Sequence, residues 1–119
     1  MGVVPDIARQ TQLLKGVLDL CLLAVIAERP TYGYEMTRQL EERGLSIVGE
    51  GSIYPVLGRL ERDGLIEAFR QTGNGGPPRK YYALTANGRT SLARWGDDWR
   101  AIRDAVNGVL NGVPMEVTA

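Results

Sequence analysis

The sequence has no histidine and only one cysteine, and its 14 Lys and Arg are balanced by 14 Asp and Glu. Without histidine it lacks the commonest general base and the commonest metal ligand. A lone Cys21 forms neither an internal disulfide nor a multi-thiolate metal site, and its place inside Leu20–Ile26 reads as a small apolar core residue of a chain kept in a reducing compartment. Ordinary hydrolytic chemistry is therefore disfavoured. Gly49-Glu50-Gly51-Ser52 also lacks the glycine spacing of a nucleophile elbow, and nothing nearby would activate Ser52.

Long apolar runs are missing as well. The most apolar stretch, Val17–Ala27, is interrupted by Asp19 and is much shorter than the ~20 residues a membrane span needs. Met1–Gln10 has no basic region followed by an apolar run, and Asp6 stands where acylation of Gly2 would require Ser or Thr. The expectation is a cytoplasmic protein without a membrane partner, in which residues 1–10 and 113–119 are flexible tails.

With 44% hydrophobic and 24% charged residues, the composition is that of a folded chain. Residues Thr11–Glu28 are apolar on nearly every side, which predicts a central helix closed by Pro30. A second helix is expected to open at Thr31 or Tyr32, with Tyr32, Met36 and Leu40 on one face, and to stop at Gly44. A third is expected to begin near Gly51 or Ser52, with Ser52 as its cap, Pro55 in its first turn, and Ile53, Val56, Leu57 and Leu60 buried. Leu65–Gln71 and Arg79–Thr85 read as two strands joined by a glycine-rich tip. That tip lacks both the P-loop lysine and a following helix, so it is not a nucleotide loop.

Thr85 should cap a last helix reaching about Asn111. Its apolar residues Leu92, Trp95, Trp99, Ile102, Val106, Val109 and Val113 alternate in spacings of three and four, the pattern of a helix seam that seeks a partner. The expected fold is mostly α with a small β-hairpin: a winged helix-turn-helix over residues 11–85 and a long dimerisation helix over residues 86–112.

In such a fold the third helix enters the DNA major groove. Its exposed strip holds Ser52, Tyr54, Pro55, Arg59 and Arg62, while the wing carries Arg70, Arg79 and Lys80. Each has a plainer alternative. Tyr54 can pack against the second helix, Pro55 can simply start its own, and Arg59 and Arg62 can be a solvated face paired with nearby acids.

Several ordered motifs point the same way: Gly16-Val17-Leu18-Asp19-Leu20, Tyr32-Gly33-Tyr34-Glu35, Gly51-Ser52-Ile53-Tyr54-Pro55-Val56-Leu57, Arg59–Leu65 and Pro78–Thr85. From about Leu13 to Leu110 the chain resembles the PadR family of bacterial transcriptional regulators, in its branch with a small C-terminal domain. The resemblance implies a homodimeric winged-helix repressor that binds a near-palindromic operator and is released by a small, often phenolic or planar aromatic, effector; the residues themselves suggest no cofactor or metal. By position it assigns Ser52, Tyr54, Pro55 and Arg59 to the recognition helix and Arg79 and Lys80 to the wing.

The dimer interface is then expected along Leu92, Trp95, Trp99, Ile102, Val106 and Val109. Trp99, and secondarily Trp95, are candidates to stack a planar effector across the two-fold axis, although large aromatics on such a seam also serve simply as interface core. A protein-interaction module without sequence-specific DNA binding is the rival, and a net charge of zero suits it. The charge is unevenly placed, however: residues 51–85 hold 5 basic and 3 acidic groups, against 5 and 7 in residues 1–50 and 4 and 4 in residues 86–119.

Overall fold

A computed structural model describes residues 6–46, 48–72 and 75–113. The chain runs α1 (Ile7–Lys15), α2 (Leu18–Glu28), β1 (Thr31–Tyr32), α3 (Gly33–Glu42), α4 (Glu50–Arg62), β2 (Ile66–Gln71), β3 (Arg79–Leu84) and α5 (Ala86–Asn111). The helix-rich winged architecture expected from sequence is present, with a sheet of three strands rather than two.

The long first helix is divided. Gly16 and Val17 form a turn, and α1 meets α2 at a bend of 68°. Asp6 caps α1 by accepting from the Arg9 N–H at 3.0 Å, so residues 7–10, expected to lie in a tail, are its first turn. The apolar surface explains the break: α2 buries five of its residues, with Leu22, Leu23 and Ile26 at 2% exposure or less, whereas Leu14 is the one buried residue of α1. A straight helix would have carried α1 away from the body that covers Leu14 and Leu18. Among the described residues no single helix is long and apolar enough to cross a membrane.

β1 is the missed strand. Thr31 and Tyr32 pair antiparallel with Tyr82 and Tyr81, giving the order β1-β3-β2. Tyr32 is thus the residue before α3 rather than part of its apolar face, and Met36 and Leu40 carry that burial alone with Gly33. Two residues give no readable alternation, which is why this strand looked like a helix start.

Helices α3 and α4 end in the same way. Gly44 and Gly64 have positive φ (101° and 75°), and the following residues, Leu45 and Leu65, donate back to Leu40 and Leu60 at 2.8 and 3.0 Å. This left-handed stop turns the chain sharply and tucks an apolar residue under the helix end. α4 starts earlier than expected: Gly49 precedes its first turn without a side-chain cap. Ser52 therefore does not cap the helix, and Pro55 lies in the second turn, where it removes the N–H that would reach the Gly51 carbonyl. Ile53, Leu57 and Leu60 are buried against α2 and α3 as expected, with Val56 half-buried.

Thr85 caps α5 as the sequence suggested, accepting from the Gly88 N–H at 3.0 Å. The same hydroxyl donates to the Gly64 carbonyl at 2.6 Å, and the Thr85 N–H donates to the Leu65 carbonyl at 3.1 Å. Leu92 and Trp95 pack onto the core; from Asp97 onward every described residue is exposed. The radius of gyration, 17.1 Å, exceeds the roughly 13–14 Å of a compact chain of this length because half of α5 projects.

Gly88 faces the Leu65 carbonyl so closely that a Cβ would overlap its oxygen and stand 2.8 Å from Leu84 Cδ1. Gly88→Ala is expected to destabilise the fold by about 2–3 kcal/mol, read as a lower urea midpoint with an unchanged m-value.

Candidate nucleic-acid interface

The exposed strip of α4 follows from its buried one. With Ile53, Leu57 and Leu60 turned inward, the 3.6-residue period leaves Ser52, Tyr54, Pro55, Arg59 and Arg62 in solvent. Clefts lie on both sides of this ridge and divide the candidate residues between them.

On one side, a cleft of about 460 Å³ is lined by Tyr32, Gly33 and Tyr34 at the start of α3, Tyr54 of α4, and Arg79, Lys80 and Tyr82 of β3. β1 pairs only with residues 81 and 82, so the edge of β3 is open at Arg79 and Lys80, and their side chains flank the cleft from opposite faces of the strand. Arg79 lies over the Tyr32 ring, 4.6 Å from its centroid. Lys80 sits 5.5 Å from the Tyr82 centroid and 3.7 Å from Glu61 of α4. Burial, with smaller contributions from the negative charge of Glu50 and from Tyr82, pushes the Tyr54 phenol above its ordinary pKa, so at neutral pH it is a hydrogen-bond donor.

On the other side, a cleft of about 430 Å³ joins Ser52, Val56 and Arg59 of α4 to Thr11, Leu14 and Lys15 of α1 and to Leu18 and Asp19 of α2. Arg59 lies 3.7 Å from Asp19, both partly exposed. Arg62, one turn further on, lies above Gly58 and lines neither cleft. Arg70 pairs in register with Lys80 beside the wing tip; residues 73 and 74 of that tip lie outside the described residues.

The structure thus brings Tyr54, Arg79 and Lys80 together, sets Ser52 and Arg59 apart from them across the ridge, and leaves Pro55 between. Sequence reading missed Tyr34 and Gly33 as neighbours of Tyr54, and Lys15 as a neighbour of Arg59. The Tyr-Gly-Tyr run was visible, but its position depended on β1. Lys15 is placed only by the bend after α1.

Among the described residues no cluster of acids and Cys21 has the arrangement of a metal site. Cys21 is half-buried against the core, and burial, reinforced by nearby Asp19, raises its thiol pKa, as befits an unreactive residue.

On α5, Trp99 is 43% exposed, Ile102 61%, Val106 50% and Val109 73%. Trp99 stands between two further clefts, one of about 420 Å³ shared with Leu13, Val17, Leu20, Trp95 and Ile102, the other of about 390 Å³ shared with Leu14 and Leu45. Leu92 and Trp95 already give part of their surface to their own core. The unpartnered seam therefore begins at Trp99.

Residues 22–94 match the family model described as the transcriptional regulator PadR-like family. A transcriptional regulator of Mycobacterium tuberculosis is 32% identical over 98 residues, which cover 82% of this chain and 87% of that protein. The crystal structure of a PadR-like transcriptional regulator from Bacillus cereus superposes with a TM-score of 0.79 at 40% identity, covering 86% of this chain and 99% of that one. A PadR family transcriptional regulator from Eggerthella lenta gives 0.76 at 31% identity, with 87% and 89% covered. A winged sheet beside an exposed basic helix ridge, matched over most of its length by regulators of one kind, places this chain in the PadR-like family of DNA-binding transcriptional regulators, which are not enzymes.

Proposed function

We propose that the chain acts in the bacterial cytoplasm as a homodimeric repressor, released from a near-palindromic operator by a small planar aromatic effector. The observation that carries the dimer is the seam Trp99–Ile102–Val106–Val109, apolar at three-and-four spacing and bare in the single chain. A second copy running along this seam covers it and sets two recognition helices one DNA turn apart, about 34 Å.

Each α4 enters a major groove. Arg59 donates to a guanine edge, with Ser52 beside it; Tyr54, Arg79 and Lys80 engage phosphate on the wing side, and Arg62 and Pro55 contact the backbone along the ridge. Two cations begin tethered to acids, Arg59 to Asp19 and Lys80 to Glu61. These pairs are long and exposed, so they contribute little on their own and yield readily to phosphate or base partners. The effector lies between the two Trp99 rings, with Trp95 beneath, and acts by changing the angle at which the two α5 helices cross.

Binding to a duplex enriched from a random pool should weaken linearly in log affinity against log salt. Arg79→Ala should lower that slope by about one per protomer, whereas Arg59→Ala should cost about 1–3 kcal/mol per half-site and relax discrimination at one base position. A flat salt dependence in filter binding would favour the protein-interaction role instead.

Ile102→Glu places a charge on the seam and is expected to give a monomer by sedimentation at concentrations where the unaltered chain is a dimer. An unchanged mass would contradict the assigned interface.

Planar aromatic compounds should quench tryptophan emission, and Trp99→Ala should abolish the response; because Trp99 also lies on the seam, the variant is compared at concentrations where sedimentation shows it to be a dimer. Equal quenching in that variant would remove Trp99 from the effector site.

A further inference from the structure

Gly33 is the first residue of α3, where glycine is a poor choice for helix stability. Its φ is not positive, unlike that of Gly44, Gly64 and Gly75, so the backbone itself does not call for glycine. Space does. A Cβ at this position would stand 2.6 Å from Tyr54 Oη, 2.9 Å from Cζ and 3.0 Å from Cε1. The phenol of a residue on α4 is laid against the bare Cα at the start of α3, and both border the cleft shared with Arg79 and Lys80. Among the described residues no protein group forms a hydrogen bond with the Tyr54 hydroxyl, and the side chain is 49% exposed. The ring is thus held at its tip while its donor remains free.

We infer that Gly33 is a positioning residue of the DNA interface: its missing side chain lets the Tyr54 ring lie across the start of α3, so that the hydroxyl and the two wing cations converge on one backbone phosphate. A side chain at position 33 turns the ring out of the cleft. The inference rests on the assignment of Tyr54 to phosphate above and adds the residue that orients it. Because the phenol is neutral, losing its contact removes a hydrogen bond but displaces no counterions. Affinity falls and the salt slope stays, unlike the loss of a cation.

The full-length chain, bound to the duplex enriched from a random pool, provides the test. Tyr54→Phe is expected to bind about tenfold more weakly, in line with a lost hydrogen bond to a charged group. Gly33→Ala should lose at least as much, with the slope of log affinity against log salt unchanged, while Arg79→Ala lowers it. In a Tyr54→Ala background, adding Gly33→Ala should cause no further loss. The half-exposed ring has solvent to swing into, so Gly33→Ala should keep a melting temperature within a few degrees of the parent.

Equal losses from Gly33→Ala in both backgrounds, parental affinity in Gly33→Ala, or an unfolded Gly33→Ala would each overturn the inference. If Tyr54→Phe weakens binding and Gly33→Ala does not, only the positioning role fails. Parental binding by Tyr54→Phe would remove the Tyr54 contact and this inference with it.

Discussion

The orientation of everything that matters in this molecule depends on one backbone joint. Where α4 has just ended, the Gly64 and Leu65 carbonyls accept from the hydroxyl and N–H of Thr85, the residue that also caps α5. Gly88 lets the first turn of α5 settle directly on the Leu65 carbonyl. The recognition helix and the projecting helix are therefore fastened end to start, across a sheet only three strands wide. With α4 facing DNA and α5 facing a second copy, as proposed, a change in the direction of α5 would pass to α4 through this joint.

The electrostatic design is local. A chain with no net charge still exposes Arg59, Arg62, Arg70, Arg79 and Lys80 on α4 and the wing, because residues 51–85 hold 5 basic groups against 3 acidic ones. Asp19 and Glu61 reach two of these cations from the flanks of the ridge. On the proposed reading, such pairs would reduce attraction to arbitrary phosphate without removing the donors that base edges and shaped backbone require. Neutral overall charge, which at first favours a protein-binding module, is compatible with a DNA surface that relies on geometry more than on bulk attraction.

Much of this was legible in the sequence where local chemistry decides. The stop at Gly44, the Thr85 cap, the strands around the glycine-rich tip and the three-and-four spacing of α5 each carry their own signal within a few residues. The misreadings share another origin. The bend at Gly16–Val17 is selected by what covers Leu14 and Leu18, the two-residue strand β1 by pairing with a partner fifty residues later, and the early start of α4 by packing rather than by the Ser52 hydroxyl. The site inherits this division. The cations and Tyr54 could be named from sequence, but their sorting into two clefts, and the meeting of Tyr54 with Gly33, exist only once β1 and the bend are in place.

The bare half of α5 also has a consequence for the cell. With the seam paired between two copies as proposed, the DNA-binding species forms from two encounters, and at low abundance its amount rises with the square of the amount of chain made. A promoter controlled by such a protein reads copy number steeply: halving synthesis removes roughly three quarters of the active form in that regime. Four helical turns left unclothed would thus set a threshold for gene control before any small molecule arrives.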